Sequence, residues 1–153
     1  MNYFSSILIA IFISTLAVAE TVQVSENGIE IEVSLQPTSF IVGNTVTLHI
    51  EASSPEGISL SILTQKYGSF TELRSNELLN IPDNGRRRWI WTKAFDTFDA
   101  TITTFPSIPI QWVSSTGKQG NIDINPIEIN VQSVAGDALS EMELRDIKDM
   151  YPF

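Results

Sequence analysis

The residues from Arg86 to Val131 have the pattern of a run of short strands, three of which alternate clearly between apolar and polar side chains, and this pattern indicates a β fold. Successive side chains of a strand point to opposite faces of its sheet, so alternation is typical of a strand with one buried face. Strands this short, separated by Gly, Pro and Asn turns, predict an all-β, immunoglobulin-like antiparallel β-sandwich. The predicted strands are residues 86–95, 100–105, 107–113, 121–124 and 126–134, with shared faces formed by Ile108, Ile110 and Trp112, by Ile122 and Ile124, and by Ile127, Ile129 and Val131.

The residues between the amino-terminal segment and Arg86 continue the strand pattern. Residues 21–26 and 29–35 alternate on either side of Asn27-Gly28, a strong turn signal, and they form either a hairpin or one bent strand. Residues 46–52 and 58–63 are two further predicted strands. Residues 70–74 form another, whereas residues 75–81 fit either one helical turn or an edge strand.

The periodicity changes after Gly136. Ser140 followed by Glu143 is a capping box, and Leu144, Ile147 and Tyr151 would share one face of a helix. These residues predict a short helical tail outside the sandwich.

The first nineteen residues carry no charged side chain and end in Ala17-Val18-Ala19, which is typical of a secretory signal peptide. We therefore expect a signal peptide at 1–19, a sandwich at 20–135 and a tail at 136–153, although retention of the apolar segment as an anchor is the alternative. The mature protein is expected to be periplasmic and soluble.

Composition excludes two kinds of chemistry. The chain has no Cys, so it has neither disulfides nor a lipid-modified cysteine. Its formal net charge is −9, which argues against a nucleic-acid partner because phosphate contacts need clustered cations.

No catalytic, cofactor or metal site is predicted. His49 is the one histidine and is expected on the polar face of a strand, whereas a metal site usually takes several such ligands. Asp83, Asp96 and Asp99 lie in loops without the spacing of a calcium-binding loop, and we interpret them as solvated turn carboxylates.

The densest cluster of cations is Arg86 to Arg88, at the start of a strand. Arg86 and Arg88 should share one face, while Arg87 lies on the other with Lys93 and the rings of Trp89, Trp91 and Phe95. One interpretation places the rings in the core with the cations at its rim. The other makes the aromatic rings and the Arg residues, including Arg86 and Arg88, a partner-binding surface.

The order of motifs resembles the BatD-like proteins of bacterial aerotolerance operons. The matching segments are P-T-x-F-x-V-G-N-x-V-x-L at 37–48, T-I-x-x-F-P-S-I-P-I-Q-W at 101–112, P-I-E-I-N-V-Q-S-V at 126–134 and L-R-D-I-K at 144–148. The chain departs from the family where Asp149-Met150 replaces a proline after the tail, where Phe98-Asp99 replaces a Pro-Gly turn, and where no transmembrane helix follows.

The resemblance implies a non-enzymatic protein that works beside membrane proteins carrying von Willebrand A domains and a MoxR-type ATPase. It also implies that a second partner contact involves the tail residues Leu144, Arg145, Asp146, Ile147 and Lys148. A carbohydrate-binding or adhesin-type module is the alternative, and it requires exposed Trp89, Trp91 and Trp112. A hydrolase is a third class, for which the sequence shows no triad motif.

Overall fold

The computed structural model describes residues 19–63 and 66–134, which form strands and turns and no helix. Most of these strands come from segments in which apolar and polar residues alternate. Gly or Asn residues with positive φ form the turns between strands, as at Asn27-Gly28 and Asn84-Gly85. The strands are β1 Glu20–Glu26, β2 Ile29–Gln36, β3 Ser39–Ile41, β4 Val46–Pro55, β5 Ile58–Ile62, β6 Thr71–Asp83, β7 Arg86–Asp96, β8 Thr104–Phe105, β9 Ile108–Ser114, β10 Gln119–Ile124, β11 Ile127–Glu128 and β12 Asn130–Gln132.

Two antiparallel sheets dominate the fold. The larger has the strand order β1-β2-β4-β7-β6 and the smaller the order β10-β9-β5. Two short pairs complete the structure, β11 with β8 antiparallel and β12 with β3 parallel. The predicted all-β, antiparallel β-sandwich is confirmed, and the parallel pair β12–β3 is an addition that alternation could not reveal.

The inner faces of the sheets bury one continuous hydrophobic cluster. Its densest part is a group of rings in which Phe95 lies 5.3 Å from Phe105 and 4.8 Å from Tyr67 between centroids. Rings at such separations and tilts attract one another beyond the area that they bury. The predicted apolar faces are buried, including Ile108, Ile110, Ile122, Ile124, Ile127, Ile129 and Val131, while Trp112 is half-buried.

Two open alternatives are decided by strand pairing. β1 and β2 form an antiparallel hairpin, with Glu26 opposite Ile29, and so they are not one bent strand. Residues 75–81 belong to β6, which begins at Thr71 and lies at the edge of the larger sheet. The edge-strand interpretation of that segment is therefore the right one.

Two predicted boundaries were wrong. The strand expected at 100–105 begins at Thr104, because the Asp99 carboxylate accepts hydrogen bonds from the amide and the hydroxyl of Thr101 and holds a turn there. The strand expected at 126–134 divides into β11 and β12 at Ile129, whose amide donates to the carbonyl of Thr103.

The described residues contain no helix that could cross a membrane. The predicted signal peptide, apart from Ala19, and the predicted tail helix lie outside the described residues.

Candidate functional site

A cleft of about 300 Å³ opens between β5, at one edge of the smaller sheet, and β6, at one edge of the larger sheet. One wall comes from β5 and the residue after it, and the other from β6 and β7, with Tyr67 of the connecting loop between them. The lining residues are Leu60, Ser61, Ile62, Leu63, Tyr67, Glu72, Glu77, Leu79, Trp91 and Lys93. The cleft therefore combines apolar and aromatic side chains with two carboxylates and one ammonium group.

The register between β6 and β7 places the polar groups in this cleft. Trp91, Lys93 and Phe95 alternate along the inner face of β7, and their cross-strand neighbours on β6 are Glu77, Ser75 and Glu72 in that order. An irregularity between Glu72 and Arg74 inserts one residue, so Glu72 and Ser75 lie on the same face although they are three apart. Without this extra residue, the side chain of Glu72 would point to the outer face of the sheet and away from the cleft.

Lys93 is the buried cation of the cleft. Its residue is 8% exposed, and its Nζ atom donates to Ser75 Oγ at 3.0 Å and to Glu72 Oε1 at 3.4 Å. A buried ammonium needs such partners because it has lost its hydration. Glu77, by contrast, makes no ion pair with any residue in the part of the chain that the structure describes.

Tyr67 lines the same cleft as Glu72 and Glu77. Burial raises the pKa of its hydroxyl, and the charges of Glu72 and Glu77 raise the pKa further because they oppose a second anion. The Tyr67 hydroxyl should therefore stay protonated to a higher pH than an ordinary phenol.

Arg86 and Arg88 lie elsewhere, on the outer face of the larger sheet. Arg86 donates through Nε to Ser53 Oγ and through a terminal nitrogen to the carbonyl of Gly28, each at 2.7 Å. Arg88 forms an ion pair with Glu51. The structure confirms that these two cations share a face, and it shows that each already has partners within the chain.

The same outer face is acidic around the Arg88 ion pair. Glu32 lies directly opposite Glu51 on the neighbouring strand, a placement that destabilises a sheet unless other groups compensate. Arg88 compensates Glu51, and the amide of Gln23 donates to Glu32 at 3.1 Å. A shallow trough of about 630 Å³ runs over these side chains.

Asp83 and Asp96 were predicted to lie in loops, but they are the last residues of β6 and β7 and pair with Arg86 and Thr71, because the turn between these strands takes only Asn84-Gly85. His49 is on the polar face of β4, where its Nδ1 atom is 3.0 Å from Thr92 Oγ1 and its Nε2 atom is 3.9 Å from Glu51 Oε2. Across residues 19–63 and 66–134, no group of three or more His, Cys, Asp or Glu side chains could hold a metal ion. Trp89 and Trp91 are buried, which confirms the core interpretation of these two rings.

The tail residues Leu144, Arg145, Asp146, Ile147 and Lys148 lie outside the described residues. Glu72, Glu77 and Lys93 were not chosen from the sequence as site residues. A signal was present, because Lys93 falls in phase with Trp91 and Phe95 on a buried face, where a cation requires an anionic neighbour. The sequence could not show that β6 would supply that neighbour.

No protein-family model matches the chain, and no characterised protein matches its sequence. The resemblance to BatD-like proteins thus stays a prediction.

Proposed function

We propose that this chain is a non-enzymatic, exported β-sandwich that binds a protein partner through the edge of its larger sheet. One observation carries the proposal: among the strands of residues 19–63 and 66–134, β6 is a thirteen-residue edge strand whose side chains are almost all exposed. A long edge strand offers unpaired backbone groups, and proteins usually shorten or cover such an edge.

Exposed leucines on β6 support a binding role. Leu73, Leu78 and Leu79 are 46%, 53% and 51% exposed, although leucine normally belongs in the core. Leu79 lines the cleft, and Leu78 lies on the outer face opposite Ile90. A partner strand that pairs its backbone with β6 could therefore bury apolar surface on both faces of the sheet.

The resemblance to BatD-like proteins supplies the class of partner. It implies inner-membrane proteins with von Willebrand A domains, acting with a MoxR-type ATPase, and it makes the tail at 136–153 a second contact. This assignment rests on the motifs at 37–48, 101–112, 126–134 and 144–148.

The alternative, a carbohydrate-binding or adhesin module, would stack exposed aromatic rings on sugars. Trp89 and Trp91 are each 2% exposed, so neither can do so without unfolding of the sheet. Trp112 is half-buried and is the one tryptophan whose ring could reach a sugar.

The test is in-cell crosslinking of the mature protein, purification and mass spectrometry, with a form lacking residues 137–153 in parallel. We expect the full form to recover von Willebrand A-domain proteins and the shortened form to recover less of them. Recovery of glycans or wall material without a specific protein would contradict the proposal and favour the carbohydrate-binding module. Equal recovery by both forms would remove the tail from the interface.

A further inference from the structure

The cleft between β5 and β6 has the features of a peptide-binding groove. It lies between two strands that each pair on one side, β5 with β9 and β6 with β7, within the described part of the chain. Its lining is largely apolar and aromatic: Leu60, Tyr67 and Trp91 belong to the buried hydrophobic cluster, and the exposed Leu79 lies beside them. A guest strand could therefore satisfy its backbone at an edge and place alternate side chains in the cleft.

The usable part of β6 is defined by its two irregularities. The register with β7 is disturbed between Glu72 and Arg74 and again between Leu78 and Ile81, and Pro82 cannot donate a hydrogen bond. Arg74 to Leu78 pair with β7 without interruption and form the regular stretch. At 3.4 Å per residue this stretch is about 17 Å long, enough to pair with a short peptide segment.

The charges in the cleft indicate which side chain a bound peptide strand should carry. Lys93 neutralises Glu72, whereas Glu77 lacks an ion-pair partner among the described residues. The polar part of the cleft thus has one cation for two carboxylates. A cation on the guest strand opposite Glu77 would balance the site, since opposite charges on directly paired residues stabilise a sheet.

We propose that the groove binds an extended segment of a partner protein in which a Lys or Arg is flanked, on the same face, by apolar side chains. The segment pairs with Arg74 to Leu78, its cation lies beside Glu77, and its apolar side chains contact Leu60 and Leu79. This inference rests on the proposed function, because it names the surface and the chemistry through which that function would operate.

The test uses a defined peptide. A blocked seven-residue peptide carries Lys at its centre, Val at the two positions that share a face with Lys, and Thr elsewhere. A matched peptide carries Glu in place of the Lys. Each is titrated into the ¹⁵N-labelled mature chain, and amide shifts are followed by NMR. We expect the Lys peptide to shift the amides of β5 and of Arg74 to Leu78, and the Glu peptide to bind more weakly.

Variants locate the charge contact. Glu77→Gln should weaken the Lys peptide about two- to fivefold, the range expected from one cross-strand ion pair. Glu30→Gln, an exposed acid on the outer face of β2, should leave binding unchanged. The proposal is overturned if the peptide shifts no amides at millimolar concentration, if the Lys and Glu peptides bind equally, or if Glu77→Gln has no effect.

The same variant separates this inference from the proposed function. If in-cell capture succeeds and is equal for the wild type and Glu77→Gln, a partner protein binds elsewhere and the groove assignment fails alone. If neither form captures a protein while the Lys peptide still binds at β6, the groove stands and the proposed partner class fails.

Discussion

The Nζ atom of Lys93 lies 3.4 Å from Oε1 of Glu72, with the Lys93 side chain 11% exposed and the Glu72 side chain 38% exposed. The pair connects the central part of the larger sheet to its edge strand. Because Lys93 is largely buried, it depends on Glu72 and Ser75 to replace its lost hydration. The contact therefore both stabilises β6 and sets the charge of the cleft.

Removing the Glu72 carboxylate should destabilise the fold. Glu72→Gln removes the negative charge that balances the Lys93 ammonium, so we expect a loss of about 1–2 kcal/mol in the free energy of unfolding. Urea denaturation followed by tryptophan fluorescence measures this loss. The control is Glu51→Gln at the more exposed pair with Arg88, which should cost less than about 1 kcal/mol. If the two variants lost the same free energy of unfolding, the burial of Lys93 would not make its ion pair more important than an exposed one.

Stability should fall at alkaline pH because of Tyr67. Its folded pKa is raised above the ordinary value of 10.0, so the unfolded chain loses this proton first as the pH rises. The stabilisation is fully present below pH 10.0 and is lost as the pH rises through the folded pKa. Denaturation at a series of pH values should show a weaker loss for Tyr67→Phe than for the wild type.

Ultraviolet titration can separate the causes of that shift. The chain has three tyrosines, Tyr3, Tyr67 and Tyr151, so a protein produced without residues 1–19 and carrying Tyr151→Phe leaves Tyr67 as the phenol that is observed. Adding Glu77→Gln should lower the Tyr67 pKa while leaving it above 10.0, because burial is the larger cause. An unchanged pKa would place the Glu77 charge outside the cleft.

The Asp99 carboxylate should titrate below its ordinary range. Hydrogen bonds from the Thr101 hydroxyl and amide lower its pKa, and a weaker contribution comes from Ser69. The pKa is depressed in the fold, so the associated stability is present above the ordinary value of 3.8 and is lost as the pH falls through the folded pKa. NMR titration should show a larger rise in the Asp99 pKa for Thr101→Val than for Ser69→Ala, and the reverse order would contradict the turn geometry.

Gly120 should resist substitution because the indole of Trp112 covers it from the neighbouring strand. A Cβ atom at residue 120 would lie 2.8 Å from Trp112 Nε1, so the ring must move. We expect Gly120→Ala to cost about 1–2 kcal/mol, in the range of overpacking, and to shift tryptophan emission. Asn121→Ala, at the exposed next residue, is the control and should change neither. Wild-type stability and emission in Gly120→Ala would show that the ring does not pack there.

Alternation predicted the fold class well because it reports burial locally. Ile108, Ile110, Ile122 and Ile124 are buried as their spacing requires, and the Asn27-Gly28 turn joins the first hairpin. The start of β8 was misplaced because apolar and polar residues also alternate through the turn that Asp99 holds. The hydrogen bonds from Thr101 to the Asp99 carboxylate stabilise a turn there, although the sequence alternates as a strand would.

The candidate site was much less predictable, because it depends on contacts between distant segments. Two irregularities interrupt the period of two along β6, and its leucines are exposed, so the stretch near Leu78 resembled a helical turn as much as a strand. Lys93 could be placed on the inner face of its strand from spacing. Its pairing with Glu72 required knowledge of the register across β6 and β7.

The most direct test of the account is site-specific photocrosslinking in the cell. Benzoylphenylalanine replaces Leu79 at the cleft or Glu30 on the outer face, and both residues are exposed. We predict that the Leu79 form crosslinks to a protein through an extended segment with a Lys or Arg among apolar residues, and that Glu77→Gln reduces the yield. Crosslinks from residue 30 with none from residue 79 would contradict binding at β6.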